Sequence, residues 1–148
     1  MSIATGIAGT PMPIHIHIAE QIGEVQECEA LRGARPVEWL LGHADVDADW
    51  TLVHATHLDD AEVLGIASSG ATVAICPTTE ANLGDGLPDL PRWLASTTPL
   101  SLGSDSHVGR DALEELRLLE FGQRLQQRQR NVAADPEREP ATAARLFE

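Results

Sequence analysis

Four short apolar runs, each followed by a polar loop and then a helical pattern, constrain the fold of this chain more than any other feature. The first run, residues 13–19 (PIHIHIA), alternates Ile14, Ile16 and Ile18 with His15 and His17. Period-two alternation rich in β-branched residues predicts a strand. Residues 22–42 then place Val25, Cys28, Leu31, Val37, Leu40 and Leu41 near helical spacing, with Gly33 and Pro36 breaking the segment into two helices. The second run, 50–55 (WTLVHA), ends at His54, and Asp59 or Asp60 is placed to cap a helix reaching about Ser69. The third run, 71–76 (ATVAIC), is closed by Pro77 and followed by TTEANLGDG, which reads as a loop, and then by a short helix at 90–95. The fourth run, 99–103 (PLSLG), leads into Ser104-Asp105-Ser106-His107 and a long helix over 111–129. In that helix Leu113, Leu116, Leu119 or Glu120, and Leu125 mark the expected buried stripe. Residues 1–12 and the proline-broken 131–140 read as loops, and 142–148 as the start of a last helix. Strand–helix alternation with short connections predicts a parallel α/β sheet in one domain spanning 1–148.

Composition narrows the partners. With 148 residues, 10 Lys+Arg against 23 Asp+Glu and a net charge of −13, the chain is a poor match for nucleic acid. No apolar run is long enough to span a bilayer, and the first residues show neither a basic region nor an apolar stretch of the signal-peptide kind. Cys28 and Cys76 form no CxxC pair, so a reducing cytoplasm is the expected compartment and Cys76 is expected as a small buried apolar residue. Glu114, Glu115 and the charge run from Arg124 to Arg130 are expected on solvated helix faces.

In parallel α/β folds the working groups gather at the C-terminal ends of strands. Here those ends carry His15, His17 and Glu20, then His54 and His57, then Thr78, and finally Asp105 and His107. Imidazole and carboxylate are the ligands that zinc and similar divalent ions accept. Each group alone also has a structural reading: a solvated strand face for His15 and His17, a helix-start carboxylate for Glu20 or Asp105, a turn cap for His57. The coincidence on successive strand ends favours a metal-assisted site.

The segments HIHIAEQ at 15–21, LVHATH at 52–57, CPTTEANLGDG at 76–86 and GSDSH at 103–107 resemble the amidohydrolase superfamily, in particular the branch that deiminates N-formimino-L-glutamate. That resemblance implies a partial (β/α)8 barrel of the TIM type, strands five to eight with their helices. It implies one divalent metal ion, Zn2+ first, held by His17 and Asp105. Glu20 is implied as the acid that protonates the leaving nitrogen, His54 as the group beside the metal water that polarises the substrate, and Asp105 also as the base for that water. The implied reaction is hydrolysis of N-formimino-L-glutamate to N-formyl-L-glutamate and ammonia, in histidine degradation. His15, His57, Thr78, Asn82, Ser106 and His107 fall within the matching motifs without an implied role. The family's strand-one H-x-H motif, which supplies two further ligands, is absent from these 148 residues. The 148 residues alone are therefore expected to bind metal weakly and catalyse little, requiring the other barrel half or a homo-oligomer. Another aminohydrolase of the same superfamily, acting on guanine, cytosine or S-adenosylhomocysteine, and a non-catalytic half-barrel remain the alternatives.

Overall fold

The computed structural model describes residues 12–147. The expected loop over 1–12 thus lies outside the described residues except for Met12. Four strands, β1 (Ile14–Ile18), β2 (Trp50–His54), β3 (Thr72–Ile75) and β4 (Leu100–Leu102), form one sheet in sequential order, every neighbour parallel. The connections are helical: α1 (Ile22–Arg32) and α2 (Pro36–His43), then α3 (Asp60–Ser69), then α4 (Pro77–Leu83) and α5 (Leu90–Ala95). Beyond β4 come α6 (Ala112–Gln127) and the short α7 (Thr142–Phe147). The 131–140 stretch contains turns and one antiparallel bridge, Asp135 to Glu139.

Register explains how the two sheet faces divide. Ile14, Ile16 and Ile18 pair with Trp50, Leu52 and His54, Leu52 with Val73, and Val73 with Leu100. The apolar members of this set join Val25, Val37, Val63, Ile66, Leu90, Trp93 and Leu119 in the core beneath the helices. Leu52, Ile66, Val73 and Val37 are fully buried, and each such side chain contributes about 1.5–3 kcal/mol. The opposite face carries His15, Thr51 and Thr72 in one row and His17, Val53, Ala74 and Ser101 in the next. His15, His17 and Ser101 are exposed on it. Among the described residues β1 and β4 have one neighbour each, so both edges of the sheet present unpaired backbone. An all-parallel sheet in sequential order is what the strand–helix alternation predicts, and with its helical cover on one side it is consistent with the partial β/α barrel that the resemblance implies.

Local signals account for the helix limits. Gly33 closes α1 with φ 72°, a left-handed conformation that costs glycine nothing, and Pro36 opens α2 at its first turn. Asp59 and Glu62 form a reciprocal capping box at α3, with Asp59 Oδ1 accepting from the Glu62 N–H at 2.9 Å and Glu62 Oε2 accepting from the Asp59 N–H at 3.0 Å.

Four expectations are corrected. TTEANLGDG is not a loop throughout: Pro77–Leu83 is helical, with Thr78, Thr79 and Glu80 buried in its first turns. Pro77 fits the first helical position, and Gly84, at φ 75°, ends the helix. Glu115 is not solvated but 3% exposed, its carboxylate accepting from the Thr78 N–H at 2.9 Å and the Thr78 hydroxyl at 2.6 Å. In α6 the stripe runs through Glu115, Leu116, Leu119, Glu120 and Gln123, whereas Leu113 and Leu125 are exposed. The helix turns polar atoms inward because partners wait there: Glu120 accepts from the Val132 and Ala133 N–H groups and from Arg124. Arg124 accordingly belongs to an anchored pair at 2.7 Å rather than to a solvated charge run.

Cys76 is buried as expected. Burial first, and then the charges of Glu80, Asp105 and Glu115, push its thiol up to about 12. Cys28, on α1, is only half-buried. Since the thiolate is the nucleophile, iodoacetamide at pH 8 is expected to label Cys28 and spare Cys76 until the protein is denatured, as read by peptide mass mapping. Equal labelling of both in the native protein would contradict this burial.

Candidate metal centre

The C-terminal ends of β1, β2 and β4 converge. One ligand atom each from His17, His54 and Asp105 falls within 4.8 Å of the others. His17 Nε2 lies 3.8 Å from Asp105 Oδ1, and His54 Nε2 lies 3.8 Å from Asp105 Oδ2 and 3.6 Å from Glu20 Oε1. The His17 and His54 rings meet edge-on, with centroids 5.0 Å apart and planes at 79°. His17 is presented to solvent on the helix-free face, while His54 is completely buried.

Backbone strain accompanies this convergence. Ala19, His54, Ala55 and Asp105 all adopt left-handed φ, between 45° and 69°. For non-glycine residues each such position costs of order 1–3 kcal/mol and persists only where surrounding contacts fix it. Those contacts are present. Glu24 receives the Ala19 and Glu20 N–H groups on its two oxygens at 2.8 and 2.9 Å. The Ala55 N–H donates to the Ile18 carbonyl and the His57 N–H to the Ala19 carbonyl, lashing β2's end to β1's. Thr79 secures the Asp105 turn: its hydroxyl donates to the Ser104 carbonyl at 2.7 Å and accepts from the His107 N–H at 3.1 Å.

Electrostatics follow from the same packing. Burial raises the Glu20 pKa, assisted by the nearby Asp85 carboxyl and opposed by His54 and His17. Burial disfavours protonation of His54, but its hydrogen bond to Glu80 and the charges of Glu20, Glu80 and Asp105 outweigh that and raise its pKa. His54 Nδ1 lies 3.2 Å from Glu80 Oε1, and the same oxygen accepts from the Cys76 N–H at 2.8 Å.

The remaining motif residues separate into other roles. His15 shares the face of His17 one row further from the rim and lies outside the cluster. The His57 ring meets the Asp85 carbonyl at 2.6 Å, so it ties down the loop after α4 rather than capping the turn that follows it. His107 Nδ1 accepts from the Gly109 N–H at 3.0 Å. Thr78 anchors α4 to α6 through Glu115, Asn82 is exposed, and the Ser106 hydroxyl lies 3.5 Å from that of Thr79. An apolar cavity of about 580 Å³ beside β4, lined by Trp93, Leu100 and Leu116 among others, includes none of the cluster. Sequence reasoning missed Thr79, Glu80 and Glu115. The available signal was the acid and hydroxyls placed directly after the third strand, where a helix start buries them.

A divalent cation suits this donor set. Imidazole and carboxylate are accepted zinc ligands, and with bonds of about 2.1 Å the edges of a tetrahedral site measure about 3.4 Å, close to the 3.8 Å His17–Asp105 separation. His54 Nε2 is buried without a hydrogen-bond partner, an arrangement that favours a polar group or ion beside it.

Comparison with known proteins gives the family. Residues 9–144 match the model of the amidohydrolase family. The chain is 53% identical over 131 residues to formimidoylglutamate deiminase from Pseudomonas aeruginosa, covering 87% of this chain and 29% of the relative. It is 33% identical over 112 residues to 5-methylthioadenosine/S-adenosylhomocysteine deaminase 2 from Archaeoglobus fulgidus, covering 76% of this chain and 27% of that one. Among solved structures, an amidohydrolase from Brucella melitensis superposes with a TM-score of 0.86 at 49% identity, covering 92% of this chain and 30% of that chain. An adenosine deaminase from Xanthomonas campestris with bound zinc gives 0.73 at 27% identity, covering 79% and 27%. The chain therefore spans less than a third of the length of these relatives. Family match, sequence identity and fold agree: the chain belongs to the amidohydrolase family.

Proposed function

We propose that this segment supplies part of the active site of a metal-dependent hydrolase that converts N-formimino-L-glutamate to N-formyl-L-glutamate and ammonia. The observation that carries the chemistry is the meeting of His17, His54 and Asp105 within 4.8 Å, with Glu20 3.6 Å from His54. The 53% identity to a formimidoylglutamate deiminase favours this substrate over the nucleoside-type substrates of the more distant relatives.

His17 and Asp105 would hold the ion, with zinc the first candidate given a zinc-bound structural relative. A bound divalent ion acidifies water from a pKa of 15.7 towards about 7, making a nucleophile available at neutral pH. Asp105 accepts the proton of the attacking water. His54 Nε2, 3.6 Å from Glu20 and 3.8 Å from Asp105, would hydrogen-bond the substrate's polar edge as the formimino carbon becomes tetrahedral. Glu20, kept protonated to higher pH by burial, donates one proton to the nitrogen. The proton taken up by Asp105 completes ammonia as the carbon–nitrogen bond breaks, and Glu20 regains its proton from the new hydroxyl as that oxygen becomes the formyl oxygen. Two ligands are fewer than the three that catalytic zinc usually has, so the reading includes ligands from outside these residues and weak metal binding by the 148 residues alone.

The test is ammonia release by the zinc-loaded native polypeptide on N-formimino-L-glutamate, guanine and S-adenosylhomocysteine. Turnover is expected on the formimino compound at a kcat/KM well above that on either ring substrate. Consumption of a purine alone would replace this reading with the other aminohydrolase class, and silence on all three would favour a non-catalytic remnant.

A further inference from the structure

We propose that Glu80 is the positioning residue for His54: its carboxylate keeps Nδ1 a hydrogen-bond donor and locks the ring with Nε2 turned toward Glu20 and Asp105. His54 is 0% exposed, so bulk water cannot orient its ring. Its two nitrogens face different groups. Nδ1 meets Glu80 Oε1 at 3.2 Å, while Nε2 looks into the rim, 3.6 Å from Glu20 and 3.8 Å from Asp105. An imidazole exchanges protons usefully at one edge only when the other edge is fixed, since the partner of one nitrogen decides the state of the second.

Glu80 is itself held from several directions. Its Oε1 accepts from the Cys76 N–H at the end of β3, and its helix is pinned to α6 by the two Thr78–Glu115 hydrogen bonds. A chain of contacts thus runs from α6 through α4 to the His54 ring. Glu80 Oε2, by contrast, is buried without a partner, which is costly for a carboxylate. A helix cap alone would explain the bond to Cys76, but it would leave the imidazole contact without a purpose. Glutamine at this position retains an acceptor for both donors; alanine and leucine retain none.

The test uses [15N]histidine-labelled, zinc-loaded full-length protein, with His54 identified by the signals lost in His54→Gln. Long-range 1H–15N spectra are expected to show Nδ1 protonated in the wild type and in Glu80→Gln, and a loss of that fixed state in Glu80→Ala. Glu80→Leu fills the space and serves if the alanine variant does not fold. The kinetic arm rests on the proposed deimination: kcat falls about 10- to 100-fold in Glu80→Ala with KM little changed, and Glu80→Gln restores most of it. An unprotonated Nδ1 in the wild type, or an unchanged Nδ1 signal in the folded alanine or leucine variant, overturns the assignment. The nitrogen signals do not depend on the substrate, so a protein silent toward N-formimino-L-glutamate that still shows them would sink the functional reading and leave Glu80's role standing.

Discussion

Glu20→Gln is expected to lower kcat for ammonia release by about 10²- to 10⁴-fold, the range that a positioned general acid supplies, while zinc content and the folded state stay unchanged. The carboxyl is 20% exposed, follows a strained strand end, and has its backbone N–H held by Glu24. Glutamine keeps the size and the hydrogen-bonding edge but has no proton to give to a departing nitrogen. KM is expected to change less than kcat, because the proton is needed only as the carbon–nitrogen bond breaks. Metal analysis beside the steady-state kinetics checks the result. Full activity in a zinc-replete Glu20→Gln protein would remove Glu20 from the chemistry, and loss of zinc would make it a ligand instead.

The largest expected effect on stability is at Glu62, which lies far from the metal centre in role. This carboxylate is 2% exposed and accepts from Arg35 Nε at 2.7 Å, from the Val37 and Glu38 N–H groups and from the Asp59 N–H. It therefore joins the start of α2 to the start of α3, and through Arg35 Nη2 it reaches the His57 carbonyl at 2.6 Å. Glu62→Ala leaves a partly buried guanidinium and several amide donors without their acceptor. Breaking such a buried pair costs about 3–5 kcal/mol, so the urea midpoint should fall substantially with little change in slope. Glu62→Gln, which keeps an acceptor but not the charge, is expected to lose less. A loss of unfolding free energy below about 1 kcal/mol in Glu62→Ala would show that the network is solvated in the folded protein rather than sealed.

These two carboxylates show how differently residues of one type reveal themselves. Glu20 stands three residues after a histidine on an alternating strand, and a strand end is a local event written within a few positions. Glu62 sits in an ordinary capping-box spacing, and nothing nearby announces that α2 will arrive to donate two more amides. Glu80 and Glu115 are further cases. The TTEANLGDG segment reads as a polar loop until a helix 37 positions downstream brings Glu115 to Thr78 and buries both. The exposed Leu113 and Leu125 are the reverse error, since helical spacing says that a stripe exists but not which stripe meets the neighbours.

The sequence by itself determined the strand–helix order, the breaks at Gly33 and Pro36, and the polar groups at the strand ends. These rest on periodicity, on backbone preferences of single residues and on spacing, all of which act over short distances. The tertiary structure decided which of those groups meet: His17, His54 and Asp105 converge, His15 lies outside, and His57 and His107 are spent on holding loops. It also decided which acids are buried, because parallel pairing and helix packing join segments tens of residues apart, and only that packing removes the water that would otherwise make each carboxylate an ordinary surface charge.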